Sequence, residues 1–310
     1  MTTEDVRAIK GGAAPSPAGL QERATGGDIG LPIFPRPRPD EASRQAPAGA
    51  TPPAIALQVR ALSKTYVQRR TLSRKTITIK ALSNIDLTLQ VDCTLGLVGE
   101  SGSGKSTLAR CMALLEQPDS GEIWLDGKNL LSFEASELRR ARRKVQVIFQ
   151  DPARALNPRF SAVELVAEPL EILRWATHEA RQRRALDLME EVGLSRQWGD
   201  RLALEFSGGQ RQRLAIARAL ALEPRVLVLD EALSALDLPR QVQIINLLLD
   251  LQVLHGFSYV LISHDLRLVG RVVDEVAVMH QGSIVEQGRV RDLFVAPKHT
   301  ATQALLESTR

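Results

Sequence analysis

Two cysteines, Cys93 and Cys111, are all that this chain of 310 residues contains. That is too few for a disulfide framework and offers no cysteine metal cluster, so both thiols are expected to be reduced packing groups. No stretch reaches the roughly 18 consecutive apolar residues that a membrane-spanning helix needs. If the protein works at a membrane, another chain must cross it. The N-terminus also lacks the apolar core of a secretory signal, which gives a cytoplasmic expectation. Neither sign of charge dominates: 40 Lys and Arg stand against 36 Asp and Glu, a net charge of +4. The charges are dispersed, which argues against the continuous basic stripe of a dedicated nucleic-acid binder. The run Arg139-Arg140 with Arg142-Arg143-Lys144 is read as solvated helix surface. There is no heptad run of the kind a long coiled coil would require.

With 44% hydrophobic residues the chain can bury a substantial core. Residues 1–53 are expected to stand outside it as a disordered tail, because a Pro/Ala/Gly-rich segment has too little apolar surface to repay its ordering entropy.

The apolar run Leu95-Gly96-Leu97-Val98 leads into Gly99-Glu100-Ser101-Gly102-Ser103-Gly104-Lys105-Ser106-Thr107. This predicts a strand ending in a phosphate-binding loop that opens a helix. Glycines let successive backbone N–H groups approach phosphate oxygens without side-chain obstruction. Lys105 can reach the outer phosphates, the Ser106 hydroxyl can ligate Mg²⁺, and the positive end of the helix favours the anion. Such a loop identifies the ligand and leaves the class of enzyme open.

The second half of the chain narrows the class. Ser207-Gly208-Gly209-Gln210 precedes a helically spaced Leu/Ile/Ala run over 211–220, so small residues again open a helix. Val226-Leu227-Val228-Leu229 has the unbroken apolarity of a buried parallel strand and ends in Asp230-Glu231. One of these carboxylates can hold Mg²⁺ and the other can address water. Upstream, apolar alternation at Ile55, Leu57 and Val59 and again through Ile77, Ile79, Ile85, Leu87 and Leu89 predicts a small antiparallel sheet, closed by a strand over 121–127. Gln68 to Lys75 is expected to form an exposed loop. The stretch 161–200 reads as helical, with a break expected at Pro169. Further strands are expected over 145–149, 225–231 and 257–263, followed by a last hairpin, 276–279 with 284–286.

In this order the motifs resemble the ATP-binding subunits of ABC transporters over roughly residues 55–300. The loop 99–107, Gln150-Asp151-Pro152, Leu156-Asn157-Pro158-Arg159 and the ending Pro297-Lys298-His299 with Gln303-Ala304-Leu305-Leu306 are similar to the oligopeptide/dipeptide importer ATPases. The resemblance implies an α/β P-loop NTPase core with an antiparallel β subdomain and a helical subdomain. The expected domains are a tail over 1–53, an ATPase domain over 54–290 with its helical part near 155–205, and a C-terminal tail over 291–310.

It also implies roles. ATP and Mg²⁺ are the expected cofactors, with Asp230, Ser106 and Gln150 around the metal. Glu231 would orient or deprotonate the attacking water, and His264, after the strand Tyr259–Ser263, would sense the γ-phosphate. Tyr66 would stack on adenine. Ser207, Gly208, Gly209 and Gln210 would contact the γ-phosphate held by a second ATPase subunit, identical or not, with Asp237 bridging the two. Expected partners are integral-membrane permease subunits and, through them, an extracytoplasmic solute-binding protein, which puts the chain on the cytoplasmic face of the membrane with no nucleic-acid partner. The alternative is a soluble ABC ATPase acting on nucleic acid or ribosomes, disfavoured by the single cassette and absent coiled coil. Three positions depart from the family pattern: Phe206 stands for leucine, Val91-Asp92-Cys93 for a Gly-Glu turn, and Ala301-Thr302 for Tyr-Thr.

Overall fold

A computed structural model describes residues 54–69, 76–151, 155–234 and 236–308. The tail expected over 1–53 therefore lies outside the described residues, as does most of the loop expected from Gln68 to Lys75.

Two sheets organise the fold. The first has the order β2-β1-β4-β5, with β1 (Ile55–Arg69) and β2 (Thr76–Gln90) antiparallel, β4 (Ser120–Leu125) on the far side of β1 and the short β5 (Lys128–Asn129) at the edge. Both long strands change phase midway. On β1 the large buried residues run Leu57, Val59 and then Leu62; on β2 they run Leu82 and then Ile85, Leu87 and Leu89. A strict period of two would turn half of these to solvent. Ala61 (φ 48°) and Asn84 (φ 50°) absorb the extra residue in bulges, and the apolar face is preserved. Gln68 and Arg69 pair with Ile77 and Thr76. The hairpin is therefore longer than expected, because backbone pairing continues where side-chain alternation has stopped.

The second sheet has the order β10-β9-β3-β8-β7-β6, made of β3 (Thr94–Val98), β6 (Val145–Phe149), β7 (Val226–Asp230), β8 (Ser258–Ile262), β9 (Glu275–His280) and β10 (Ser283–Arg289). All neighbours are parallel except the terminal β9–β10 hairpin. Every residue of β3, β7 and β8 is buried, as expected for central parallel strands covered on both faces. The helix Lys105–Met112 lies in the core that joins the sheets, through Leu108, Ala109, Cys111 and Met112. Burial pushes the Cys111 thiol up to about 12, consistent with an inert packing group.

The helices Ala162–Ile172, His178–Glu191 and Gly208–Leu220 pack on one another. The expected break at Pro169 does not occur: the first helix runs through it and ends three residues later. Proline inside a helix removes one backbone bond and crowds the preceding turn, at a cost of about 3 kcal/mol. Against that, Leu165, Val166, Ala167 and Leu170 on the same helix are buried, and each large side chain contributes about 1.5–3 kcal/mol. The Ser161–Glu164 capping box fixes the first turn. Packing thus outweighs the local signal.

At the C-terminus, Glu286 accepts from the N–H groups of Lys298 and His299, and Thr302 is fully buried. The Ala301-Thr302 departure therefore falls on a packed helix, Thr300–Glu307.

Candidate active site

Because β3, β6, β7 and β8 are parallel, their carboxyl ends emerge on one side of the sheet. Phe149 is level with Asp230, and Asp230 with Ile262; Leu97 is also level with Ile262. The next residues after Phe149 and Asp230 are Gln150 and Glu231, and two beyond Leu97 and Ile262 stand Gly99 and His264. Four motifs far apart in sequence thus share one edge, where open α/β sheets receive ligands.

The loop 99–104 follows β3. Its glycines are sterically required at two positions. A Cβ on Gly99 (φ 148°) would sit 2.1 Å from the Met279 carbonyl oxygen, and one on Gly104 (φ 107°) would sit 2.3 Å from the Ala81 carbonyl oxygen. Gly104→Ala combines this clash with a backbone conformation disfavoured for side chains, so about 2–4 kcal/mol of strain must be relieved by moving the loop. ATP affinity is expected to fall at least ~10-fold, read by titration together with a melting curve; wild-type values in both would contradict the geometry.

Gly104 caps the helix Lys105–Met112 without a side-chain bond. By contrast the helices beginning after Ser161, Thr177, Ser207 and Asp237 are capped by those side chains. Its first N–H groups are therefore available to an anion. Lys105 is 5% exposed, and its Nζ donates to the carbonyls of Gly99 (2.8 Å) and Glu100 (2.7 Å). Burial lowers its pKa, opposed by the nearby Glu231, Asp230 and Glu100.

Asp230 is 6% exposed and accepts from the Ser106 hydroxyl at 2.9 Å. Burial raises its pKa, with the Ser106 bond opposing and Glu231 reinforcing the rise. A buried carboxylate and hydroxyl in contact are hard oxygen donors suited to Mg²⁺, which completes its shell with water and phosphate oxygens. A cation there would reverse the upward pressure on Asp230.

Glu231 takes φ 51°, unusual for its side-chain type, and its N–H bonds the Ile262 carbonyl at 3.1 Å. The carboxylate therefore leaves the strand on a tight turn anchored to β8. Gln150 donates to Ser234 Oγ at 3.3 Å, and Ser234 donates to the Glu231 carbonyl at 2.8 Å. The sequence offers Ser234 as the start of the motif Ser234-Ala235-Leu236-Asp237; its bonds to Gln150 and Glu231 are what the structure adds. His264 is exposed at the same edge.

Tyr66 on β1 lies beside the helix of the phosphate loop. Its hydroxyl donates to Glu116 Oε2 at 2.7 Å and also meets Thr107. Burial raises its pKa, so the phenol stays protonated and remains a donor.

Ser207 and Gln210 form a capping box, and the side of Gly209 faces Arg240, which pairs with Asp237 at 3.5 Å. Ser207, Gly208 and Asp237 are exposed together. Nothing lies within 4 Å of the side of Gly208, whereas the phosphate loop is framed by Ala81 and Met279. Phe206 is buried edge-on to Trp198, with ring centroids 6.2 Å apart, so the departure from leucine is filled by an aromatic partner. Asp92, in the second departure, takes φ 56° and supplies the turn into β3.

Comparisons with known proteins agree with this arrangement. The ABC transporter family profile matches residues 82–234. The chain is 43% identical over 253 residues to the dipeptide transport ATP-binding protein DppF of Escherichia coli K12, covering 82% of this chain and 76% of that protein. It is 45% identical over 262 residues to the oligopeptide transport ATP-binding protein OppD of Mycobacterium tuberculosis, covering 84% of this chain and 43% of that longer protein. Among solved structures, the dimeric, ADP- and Pi-bound cassette MJ0796 superposes with a TM-score of 0.66 at 29% identity, over 76% of this chain and 99% of that one. CbiO1 of Clostridium perfringens, part of the transporter complex cbiONQ, gives 0.67 at 27% identity, over 78% and 91%. With a phosphate loop, paired strand-end carboxylates and a second small-residue helix start in the family's order and architecture, this chain belongs to the ABC transporter family and is one of its ATP-binding, ATP-hydrolysing cassettes.

Proposed function

We infer that the chain is the motor subunit of a peptide importer: two cassettes close on ATP, drive a separate permease and reopen after hydrolysis. The observation that carries the chemistry is the shared strand edge, which brings Lys105, Asp230, Glu231, Gln150 and His264 to one place. Phosphoryl transfer to water needs charge neutralised and one water aimed in line. Lys105 and the helix N–H groups hold the phosphates. Ser106, Asp230 and Gln150 would hold Mg²⁺, which supplies charge neutralisation at the transferring group. Glu231, fixed by its turn, orients the water and takes its proton, and His264 donates to the γ-phosphate through a ring N–H.

The Ser207-Gly208 helix start and Asp237 are exposed, which leaves them open to serve the nucleotide of a second cassette. A head-to-tail pair follows, bound at the cytoplasmic face of the membrane and linked through the permease to a solute-binding protein. No helix among the described residues is long and apolar enough to cross a membrane. Next to Gln150, a cavity of about 430 Å³ opens between β6 and the helical layer, walled by Phe149, Leu156, Ile172 and Leu173 and edged by Arg142 and Arg218. It joins the layer that carries the signature helix to the strand that carries Gln150, and so suits a permease segment that must sense nucleotide state. The peptide cargo rests on the relatives named for dipeptide and oligopeptide transport; the nucleic-acid alternative has no comparable support.

Purifying the tagged chain from native membranes tests the assignment. Recovery with multi-spanning permease chains is expected; recovery with ribosomes or DNA and no such chain would overturn it.

A further inference from the structure

The P-loop helix ends at Met112, and Leu114, at φ 58°, turns the chain back so that the N–H of Glu116 bonds the Arg110 carbonyl at 3.2 Å. This turn sends the Glu116 carboxylate toward β1. There it accepts from the Tyr66 hydroxyl at 2.7 Å, and Lys64 and Arg110 stand 3.8 Å and 3.9 Å from its oxygens. The side chains of Glu116 and Lys64 are only 20% and 17% exposed. Lys64 is itself held by the Gln117 carbonyl at 2.7 Å and lies 5.8 Å from the Tyr66 ring centroid. Thr107, one turn into the P-loop helix, meets the same phenol. The ring is thus tied at its hydroxyl end to the first turn of the helix that receives the phosphates and to the turn that follows that helix.

A tyrosine side chain swings about two torsions, and a swinging ring is a poor platform for a flat base. We propose that Glu116 is a positioning residue for nucleotide binding: by accepting the Tyr66 hydroxyl it fixes the ring at a set distance from the phosphate loop, so that base and phosphates are engaged together. The inference rests on the reading of Tyr66 as the adenine platform. Fixing the ring in the free protein lowers the ordering cost of binding, which is a gain in affinity with no new contact to the ligand. The effect belongs to the base alone. It should appear in KM for ATP and leave kcat unchanged.

The experiment compares ATP with inorganic tripolyphosphate, which has the same anionic chain and no base, on the full-length protein. Tyr66→Ala should weaken ATP by about 10–100-fold, the range for losing one stacked base. Glu116→Ala and Tyr66→Phe, which break the bond from either side, should each raise KM for ATP by about 3–10-fold, the net worth of one ordinary hydrogen bond, with kcat and tripolyphosphate affinity unchanged. Glu116→Gln, which keeps an acceptor oxygen, should recover most of the affinity. In the Tyr66→Phe/Glu116→Ala double variant the losses should not add. If Tyr66→Ala leaves ATP binding intact, the platform reading itself fails. If Tyr66→Ala weakens ATP but Glu116→Ala does not, or if Glu116→Ala weakens tripolyphosphate equally, the platform stands and the role of Glu116 is refuted.

Discussion

Lys105→Ala is expected to cost at least ~100-fold in ATP affinity while the chain remains folded. The ammonium is 5% exposed and held in place by two loop carbonyls, so it meets the phosphates with little water to screen it. A hydrogen bond to a charged partner is worth about 1.5–3 kcal/mol, and two such bonds to phosphate oxygens give roughly 3–4 kcal/mol once imperfect additivity is allowed. The substitution also removes the donor that satisfies the Gly99 and Glu100 carbonyls, loosening the loop in the same direction. Lys105→Arg is not expected to rescue binding, since a planar guanidinium cannot occupy a pocket shaped around a compact ammonium. Equilibrium titration with ATP reads the effect; a dissociation constant within threefold of wild type would remove Lys105 from the site.

Glu231→Gln is expected to give the opposite separation. The amide keeps the size of the side chain and leaves Lys105, Ser106 and Asp230 untouched, so ATP should bind within about threefold of wild type. What disappears is the proton acceptor next to the attacking water, and general-base assistance is typically worth about 10²–10⁴-fold in rate. Single-turnover phosphate release from pre-bound ATP should slow by that factor. The backbone at position 231, bent to φ 51° and tied to β8, holds whichever side chain is present in the same place, which makes the comparison clean. Unimpaired release would show that another group activates the water.

Much of this site was legible because its residues sit where local pattern changes abruptly. Leu95–Val98 and Val226–Leu229 are unbroken apolar runs, and each ends in a residue that a buried strand would not otherwise tolerate. The parallel topology then carried those ends to one edge. Less legible were features decided by packing. Pro169 promised a break, but the apolar face of its helix outweighed one lost backbone bond. The bulges at Ala61 and Asn84 could be inferred only from the phase change between Val59 and Leu62 and between Leu82 and Ile85. The Gln150–Ser234 bond and the Tyr66–Glu116 bond were invisible for a different reason: each joins side chains far apart in sequence, and no spacing rule encodes such a bond. Cys93 and Cys111, expected as packing groups, are both buried.

In the proposed pair the nucleotide is closed in by the phosphate loop of one cassette and the Ser207–Gln210 signature of another. Light scattering on Glu231→Gln, which retains ATP, tests it most directly. Without nucleotide the protein should run at its chain mass of 34.0 kDa; with ATP and Mg²⁺ the mass should double, and adding Ser207→Arg should abolish the doubling while ATP still binds. A variant that binds ATP yet stays at the mass of one chain, or one whose doubling survives Ser207→Arg, would contradict the shared site.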